Sequence, residues 1–370
     1  MATRPSFTLG VEEEFQVIDL ETRALKSHIV EMFAEGESRL QDSIKREMHQ
    51  PVIEVGTPIC ANVTEAREQV TRLRRELIRL GEENGVGIAA AGTHPFSHWK
   101  DIPITDAPRY AKIVSDLQLV ARANLVFGLH VHVAIEDPEA RIQIMNAARY
   151  FLPHVFALSV NSPFWCGTNT GWMSYRAKVF ERFPRTGLPD YFDSWGEYQE
   201  FVHLLVKTGC IDDGKKIWWD LRPHAFFPTL EYRICDIPMR VDETVCLAAL
   251  FQAITLKLWK LYDGNMGWRI YRDTLINENK QRAARYGLEA RLIDFGKQEQ
   301  VPIESLLDEL LAFVDDGLDE LGSRKEVYYL REIRRHRTGA QRQLEVYEKT
   351  KSMTAVVDYI MEETRHGIPP

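Results

Sequence analysis

Phe7–Ile18 reads FTLGVEEEFQVI, and its alternation of apolar and polar residues predicts a β-strand. Successive side chains of a strand point to opposite sides, so five apolar residues share one face: Phe7, Leu9, Val11, Phe15 and Val17. The other face carries Gly10, Glu12, Glu14 and Gln16. Two like charges side by side are unfavourable unless a positive group lies between them, so Glu12 and Glu14 call for a cationic partner. Glu13 lies on the apolar side, where the alternation does not account for it.

Three further segments repeat the pattern of one apolar and one polar face: Val52–Val55, Val126–Ile135 and Thr229–Asp236. Their polar faces carry Glu54, then His130 and His132, then Glu231, Arg233 and Cys235. One such strand is typical of a solvent-exposed edge. Four of them predict a sheet whose polar face lines a cleft.

The remaining pattern predicts helices near Ile29–Leu40, from the cap Asn62 to about Glu83, over about 109–122, from Pro138 to Val160 with a break at Pro153, over Trp195–Lys207, from the cap Asp242 to about Tyr262, and mostly from Arg272 onward. Short strands are expected at Ile44–Met48 and Gly85–Gly92. We therefore expect one α+β domain over residues 1–370, strand-rich over about 5–240 and helical over about 241–370, with helices on one face of an antiparallel sheet. Asn161–Tyr175 is long for a connection, and long loops are often functional.

The composition narrows the class of protein. The net charge of −8, from 46 Lys and Arg against 54 Asp and Glu, argues against a general nucleic-acid-binding protein. The N-terminus has no apolar segment typical of a signal peptide, and no apolar run approaches a membrane span. Five scattered cysteines without a CxxC pair fit reduced thiols. We expect a cytoplasmic protein that binds neither nucleic acid nor membrane.

The candidate cleft residues are Glu12, Glu14, Glu54, Glu231, His130 and Arg233. Carboxylates with few Cys nearby favour Mg²⁺ or Mn²⁺, and the imidazole leaves Zn²⁺ open. Arg233 is suited to bind phosphate oxygens. The sequence has no GxxxxGK[ST] loop, so nucleotide binding would depend on metal ions held by the sheet. The alternatives are structural: interior histidines at His130 and His132, and an ion pair between Glu231 and Arg233. His94, in GTHPF, is expected to be a turn residue.

Six motifs resemble the type 2 glutamate–cysteine ligases, and within them the YbdK-like carboxylate–amine ligases. These motifs are GVEEEF (10–15), IEVGTP (53–58), GTHPF (92–96), GLHVHV (128–133), NSPFW (161–165) and EYRICDIP (231–238), and they occur in the family's order. The resemblance implies a curved antiparallel sheet like the catalytic domains of glutamine synthetase and guanidino kinases. It also implies amide formation that depends on ATP and Mg²⁺ and proceeds through an acyl phosphate.

The resemblance also implies roles for individual residues. The metal ligands would be Glu12, Glu14, Glu47, Glu54, His130 and Glu231, with Arg233 on phosphate. The related ligases often have Asp at the position of Glu47. The contacts to ATP or substrate would come from His132, Asn161, Ser162, Tyr175 and Arg176, and the reference substrates would be glutamate and cysteine.

Two other functions stay open at this point. One is a phosphotransferase of the guanidino-kinase type, which would pass phosphate to nitrogen and stop. The other is a metal- or nucleotide-binding protein without turnover. A homodimer is the default expectation, because two-fold symmetry is the commonest among oligomers.

Overall fold

A seven-stranded antiparallel sheet organises the computed structural model, which describes residues 3–27, 32, 36 and 38–369. The strands are β1 Leu9–Asp19, β2 Ile44–Arg46, β3 Val52–Gly56, β4 Val86–Ala89, β5 Gly128–Ala134, β6 Phe164–Trp165, β7 Thr168–Asn169, β8 Thr186–Gly187, β9 Trp218–Trp219, β10 Leu221–Pro223, β11 Thr229–Asp236, β12 Arg291–Asp294 and β13 Glu299–Pro302. The large sheet runs β10–β11–β5–β1–β3–β2, and β4 pairs with the far end of β1. The predicted α+β class with an antiparallel sheet is confirmed.

The structure describes the bounds of fourteen α-helices. They are α1 Val63–Glu83, α2 Pro108–Leu117, α3 Leu119–Arg122, α4 Pro138–Ala148, α5 Leu152–Ser159, α6 Tyr175–Phe180, α7 Trp195–Lys207, α8 Val241–Asp263, α9 Asp273–Tyr286, α10 Ile303–Leu321, α11 Arg324–Tyr328, α12 Leu330–His336, α13 Gly339–Thr350 and α14 Met353–Arg365. Helices α1, α4, α5 and α8 pack against the strands of the large sheet. The helix predicted near Ile29–Leu40 lies largely outside the described residues.

Local signals predicted the start of α1 correctly, whereas two other predicted helices differ in the structure. Asn62 caps α1 as predicted, since its side chain accepts a hydrogen bond from the Glu65 amide at 3.0 Å. The helix predicted over about 109–122 is divided at Gln118, whose φ of 49° interrupts the helical backbone. Helix α8 begins before Asp242, because the Glu243 carboxylate accepts a hydrogen bond from the Arg240 amide instead.

Two hairpins depart from the predicted pattern. The segment Asn161–Tyr175 contains the short pair β6–β7, whose turn residues Cys166 and Gly167 both have positive φ. That backbone is typical of a two-residue type I′ turn. The hairpin β12–β13 interrupts the C-terminal part, which was predicted as mostly helical.

Helix α8 corrects one expectation from the sequence. We expected no apolar run long enough for a membrane span, but this helix of 23 residues is long and apolar enough by composition. It is the central core helix, and 83% of its apolar window is buried inside the fold. An α-helix that is apolar on all sides is typical of such a buried position.

The apolar face of β1 contributes to two separate core clusters. Leu9 and Val11 pack in the larger cluster, together with α8 and with Phe7, which precedes the strand, whereas Phe15 and Val17 pack in the second with residues of α1 and α14. Glu13 lies between these two sets on the same face of β1, and it is 2% exposed.

Arg74 of α1 is the partner that the sequence pattern did not identify for Glu13. Its Nε donates to Glu13 Oε2 at 2.9 Å, and the Thr244 hydroxyl donates to Glu13 Oε1 at 2.7 Å. The guanidinium also donates to the carbonyl oxygens of Pro238 and Met239. A buried charge is tolerated when it is paired and its remaining hydrogen bonds are satisfied, so Glu13 has a structural role.

His94 is a turn residue, as predicted, and both nitrogens of its ring form hydrogen bonds. Nε2 bonds the Arg23 carbonyl oxygen at 2.9 Å, and Nδ1 accepts from the amides of Phe96 and Ser97. The ring is therefore the neutral tautomer with its proton on Nε2. Burial lowers the pKa of His94 from 6.5 to about 3.

Acidification should destabilise the protein through His94. The unfolded chain takes up a proton near pH 6.5 while the folded state does not, so the stabilisation is complete above that pH and is lost as the pH falls towards about 3. At pH 5 the loss is on the order of 2 kcal/mol. Denaturant titrations give the free energy of unfolding at pH 7 and at pH 5. The variant His94→Asn, which keeps an acceptor in place of Nδ1, should reduce the difference between these two values. His203→Asn, on the exposed face of α7, is the control and should keep the wild-type difference.

Candidate active site

A row of charged and polar residues crosses the large sheet because of how its strands are registered. Lys45 on β2 is directly opposite Glu54 on β3, and Glu54 is opposite Glu14 on β1. On the other side of β1, Glu12 is opposite His130 on β5. Directly opposite residues on one face of an antiparallel pair are neighbours, so strand pairing alone brings these distant parts of the sequence together.

The row continues to the edge of the sheet. His132 on β5 is opposite Glu231 on β11, and Glu231 is opposite Arg222 on β10. Four of the predicted strands therefore share one polar face, as the alternation indicated.

Two groups of side chains in this row could each hold a metal ion. Glu12, His130 and Glu231 form one group, and Glu14, Glu54 and His130 form the other. Within each group, one ligand atom per residue lies within 4.8 Å of the others. Carboxylate oxygens with one imidazole nitrogen are a donor set that suits Mg²⁺ or Mn²⁺. The residues present therefore fit the metal that the resemblance implies.

Burial and mutual repulsion affect the carboxyl groups of the second group. Burial, only partly offset by Arg176, raises the pKa of Glu14 to about 7. Burial and the charges of Glu12 and Glu47 raise the pKa of Glu54 to about 8. Burial and the charge of Glu14 also raise the pKa of Glu47 to about 7. A bound cation would relieve this repulsion, because it favours the ionised form of all three groups.

The first group has the opposite electrostatic character. Burial disfavours the charged form of Glu12, but hydrogen bonds with His130 and His132 outweigh it and hold the pKa well below its usual range. Burial likewise opposes ionisation of Glu231, but the charges of Arg233 and Arg222 keep the pKa of that carboxyl well below its usual range. Glu12 and Glu231 are thus ionised acceptors at neutral pH.

The pKa values of the two histidines of β5 are shifted in opposite directions. Burial, reinforced by the charge of Arg233, lowers the pKa of His130 to about 4, so its ring is neutral and able to bind a metal ion. For His132, burial is outweighed by the hydrogen bond with Glu12, and the pKa is raised. His132 Nδ1 lies 3.1 Å from the Thr229 hydroxyl.

A β-bulge places Arg233 in the site. The register of β11 against β5 shifts between Tyr232 and Cys235, so two residues of β11 face one of β5. Arg233 forms an ion pair with Glu231 and lies 3.5 Å from His130 Nδ1. The same shift corrects one prediction, because Cys235 does not share the cleft face with Arg233. It pairs with Leu129 and packs in the larger apolar core.

The cleft above this row is lined by Glu14, Glu47, Met48, His49, Val52, Asn124, Val126, His130, Arg176, Phe180 and Arg233. Glu47 thus borders the cleft, but it is not a member of either candidate metal group. Lys45, by contrast, contacts both groups through Glu12 and Glu54.

Arg176, in the first turn of α6, lines the cleft. It is 4% exposed, and its guanidinium donates to the carbonyl oxygens of Arg233 and Ile234, each at 3.3 Å. The guanidinium lies against Gly128, where any Cβ would overlap it. Glycine at the start of GLHVHV therefore lets the Arg176 guanidinium lie against the strand without shifting.

Asn161 and Ser162 have internal partners instead. The side-chain nitrogen Nδ2 of Asn161 donates to the carbonyl oxygens of Ala90 and Ile237. The Ser162 hydroxyl donates to the Asp236 carboxylate at 2.6 Å. Both residues are buried and, in the described part of the chain, neither lines the cleft. They position the segment that leads to Arg176, and direct contact of either residue with a substrate stays a prediction.

Tyr175 also lies outside the set of cleft residues named above. It is half-buried at the start of α6, with its ring 5.9 Å from that of Trp165.

Two cations of this site were missed at the level of sequence. Arg222 is 6% exposed and donates to Glu231 through Nε at 2.8 Å, but its strand β10 is only three residues long. Lys45 lies on a strand of the same length. Strands this short have too little alternation to assign a face, so only pairing with β11 and β3 identifies these residues.

Comparisons with known proteins were consistent across sequence and structure. The family model described as glutamate-cysteine ligase family 2 matches residues 8–363. A protein of Solibacter usitatus named "Putative glutamate--cysteine ligase 2" is 53% identical over 368 residues, which cover 99% of this chain and 96% of that protein. A protein of the same name from Sorangium cellulosum is 54% identical, covering 98% of this chain and 97% of that protein.

Two solved structures share the fold at low sequence identity. A bifunctional glutathione synthetase from Pasteurella multocida superposes with a TM-score of 0.70 at 15% identity, covering 97% of this chain but only 53% of that one. The chain therefore spans about half the length of the Pasteurella enzyme. A glutamate–cysteine ligase from Francisella tularensis, in complex with AMP, gives a TM-score of 0.68 at 11% identity and covers 98% and 90% of the two chains.

Proposed function

The chain belongs to glutamate–cysteine ligase family 2, and on that premise we propose that it is an ATP- and Mg²⁺-dependent carboxylate–amine ligase. It would join a small carboxylic acid to an amine as an amide. Glutamate and cysteine are the reference pair, and the product would then be γ-glutamylcysteine. We further propose that the chain acts as a single catalytic domain in a cytoplasmic homodimer, with Mn²⁺ as an alternative to Mg²⁺.

One observation carries the proposal: two groups of potential metal ligands lie on one sheet face beside Arg233 and Arg176. Transfer of phosphate to a carboxylate brings two anions together, so the site must supply positive charge and hold both groups in line. Bound Mg²⁺ would supply charge neutralisation of the triphosphate. Glu12, Glu14, Glu54, His130 and Glu231 would hold it, and Glu47 would contribute from the border of the cleft.

The residues of the cleft also indicate which group is activated. Its described lining contains neither Ser nor Cys, so it supports no covalent intermediate on a hydroxyl or thiol of the protein. The substrate carboxylate oxygen would therefore attack the γ-phosphorus of ATP, and ADP would leave. The amine nitrogen would then attack the acyl carbon, form the amide bond, and release phosphate and a proton. Arg233 and Arg176 would orient the anionic groups.

Oxygen transfer tests this sequence of steps. With an ¹⁸O-labelled carboxylic acid, an amine, ATP and Mg²⁺, the released phosphate should carry one labelled oxygen, detected by mass spectrometry or by the isotope shift in ³¹P NMR. Amide formation with unlabelled phosphate would contradict the acyl phosphate. A stable phosphorylated amine without amide would instead support the guanidino-kinase type of phosphotransferase, and nucleotide binding without either product would support a binding protein.

Nucleotide binding should depend on the divalent ion. The cleft and the two candidate metal groups together contain five glutamates, and the sequence has no phosphate-binding glycine loop, so the triphosphate needs a cation between itself and the sheet. ATP with Mg²⁺ at 100 times the dissociation constant should stabilise the fold by about 2.7 kcal/mol and raise Tm. ATP with a chelator should raise Tm far less. Equal stabilisation in both conditions would contradict the proposed mode of nucleotide binding.

A further inference from the structure

Lys45 occupies the space between the two candidate metal groups. Its Nζ lies 3.1 Å from Glu12 Oε1 and 2.8 Å from Glu54 Oε1. Glu12 belongs to the group with Glu231, and Glu54 to the group with Glu14. The position is set by strand pairing, because Lys45 is directly opposite Glu54. One ammonium thus neutralises a carboxylate from each group.

Lys45 differs from the other cations of the site in its access to water. Its side chain is 51% exposed, whereas those of Arg222 and Arg233 are 8% and 12% exposed. Both arginines are paired with Glu231, which is buried. Withdrawing either guanidinium from that carboxylate would be costly, because it would break a buried ion pair. The lysine enters from solvent on a three-residue strand at the end of the sheet, so its ammonium is hydrated again when it leaves the two carboxylates.

We propose that Lys45 is a displaceable cation that couples metal binding to nucleotide binding. This inference rests on the proposed function, since it assumes that Glu12 and Glu54 bind Mg²⁺ or Mn²⁺. In the metal-free protein the ammonium holds both carboxylates. A divalent ion in either group competes with it, because both cations bind the same carboxylates and the two positive charges repel each other.

The nucleotide resolves this competition. A triphosphate brings new anionic oxygens to the cleft, and the released ammonium of Lys45 then binds them. Metal alone consequently binds weakly, and metal with nucleotide binds tightly. By linkage, the factor by which the nucleotide raises metal affinity equals the factor by which the metal raises nucleotide affinity, and Lys45 contributes to both.

Direct metal titration tests the role of Lys45 without requiring turnover. Free Mn²⁺ is measured by electron paramagnetic resonance, with and without adenylyl imidodiphosphate, for wild type, Lys45→Met and Lys45→Arg. Without nucleotide, Lys45→Met should bind Mn²⁺ about tenfold more tightly than wild type, since two ion pairs no longer compete. Lys45→Arg should stay close to wild type, because it retains the competing charge. Lys349→Met, on an exposed position of α13, is the control and should also match wild type.

The nucleotide arm of the same titration completes the test. In Lys45→Met the analogue should bind about tenfold more weakly in the presence of Mn²⁺, and the enhancement of Mn²⁺ affinity by the analogue should fall. Unchanged Mn²⁺ affinity without nucleotide in folded Lys45→Met would overturn the inference, and weaker affinity would assign Lys45 to orienting the ligands instead. Either result leaves the ligase proposal standing, because that proposal fails only on unlabelled phosphate or the absence of an amide.

Discussion

Glu12→Gln is expected to lower kcat by about 1,000-fold or more, while the protein stays folded. Glu12 belongs to a candidate metal group with His130 and Glu231, so its loss removes one ligand charge. A 1,000-fold effect corresponds to about 4 kcal/mol of transition-state stabilisation, within the range expected of a metal ligand. The Glu12 side chain is 24% exposed, and its amide replacement leaves no deeply buried charge without a partner. Phosphate release at saturating Mg²⁺ measures the activity, and circular dichroism measures the fold.

Glu21→Gln is the matched control, since Glu21 is exposed in the turn that follows β1. It should keep wild-type kcat. Glu231→Gln should be as inactive as Glu12→Gln, but it would also leave Arg222 and Arg233 without their shared buried carboxylate. Its stability therefore has to be measured alongside its activity. Near-normal kcat in Glu12→Gln would remove this residue from the metal site.

Glu13→Gln, one position along the chain, should instead lower the free energy of unfolding by about 3–5 kcal/mol. The Arg74 side chain is fully buried, and its guanidinium pairs with Glu13 through both carboxylate oxygens. Removing the negative charge leaves the positive charge buried and uncompensated. Urea denaturation of the wild type and the variant gives the difference directly, from the transition midpoint and slope.

The double variant Glu13→Leu with Arg74→Met separates the cost of an unpaired charge from the value of the pair itself. Replacing a buried ion pair by apolar side chains of similar size is often nearly neutral, so the double variant should recover most of the lost stability. Folded Glu13→Gln should also retain Mn²⁺ binding, since Glu13 points away from the cleft into the space between the two core clusters. A loss below about 1 kcal/mol in Glu13→Gln would show that Arg74 is satisfied by the carbonyl oxygens and Thr244 alone.

Glu12 and Glu13 show what a local sequence pattern predicts and what it does not. Alternation with a period of two assigned Glu12 to the cleft face and Glu13 to the apolar face, and the structure agrees. The pattern could not supply a reason for Glu13, because its partner is 61 residues away on a helix. An apolar face with one buried ion pair has the same sequence signature as an apolar face with a misplaced charge.

Glu47 and the segment Asn161–Tyr175 illustrate a different limit. The resemblance assigned roles to Asn161 and Ser162 by their position in the motif NSPFW, and to Glu47 by its place seven residues before Glu54. In the structure Asn161 and Ser162 are bound to Asp236 and to backbone carbonyl oxygens, so their motif serves to hold the segment before Arg176. A motif records that residues belong together, whereas hydrogen bonding determines whether each one meets the substrate or supports another residue.

The long alternating strands and the capped helix α1 follow from short-range chemistry: side-chain direction along β1, β5 and β11, and the Asn62 cap. These features were accessible because each depends on residues that are close in the chain. Which carboxylates share a cation depends instead on register between distant strands, on the bulge that turns Arg233 to His130, and on three-residue strands that deliver Lys45 and Arg222. Pairing energies between strands and burial in the whole fold set that register, and no stretch of sequence contains them by itself.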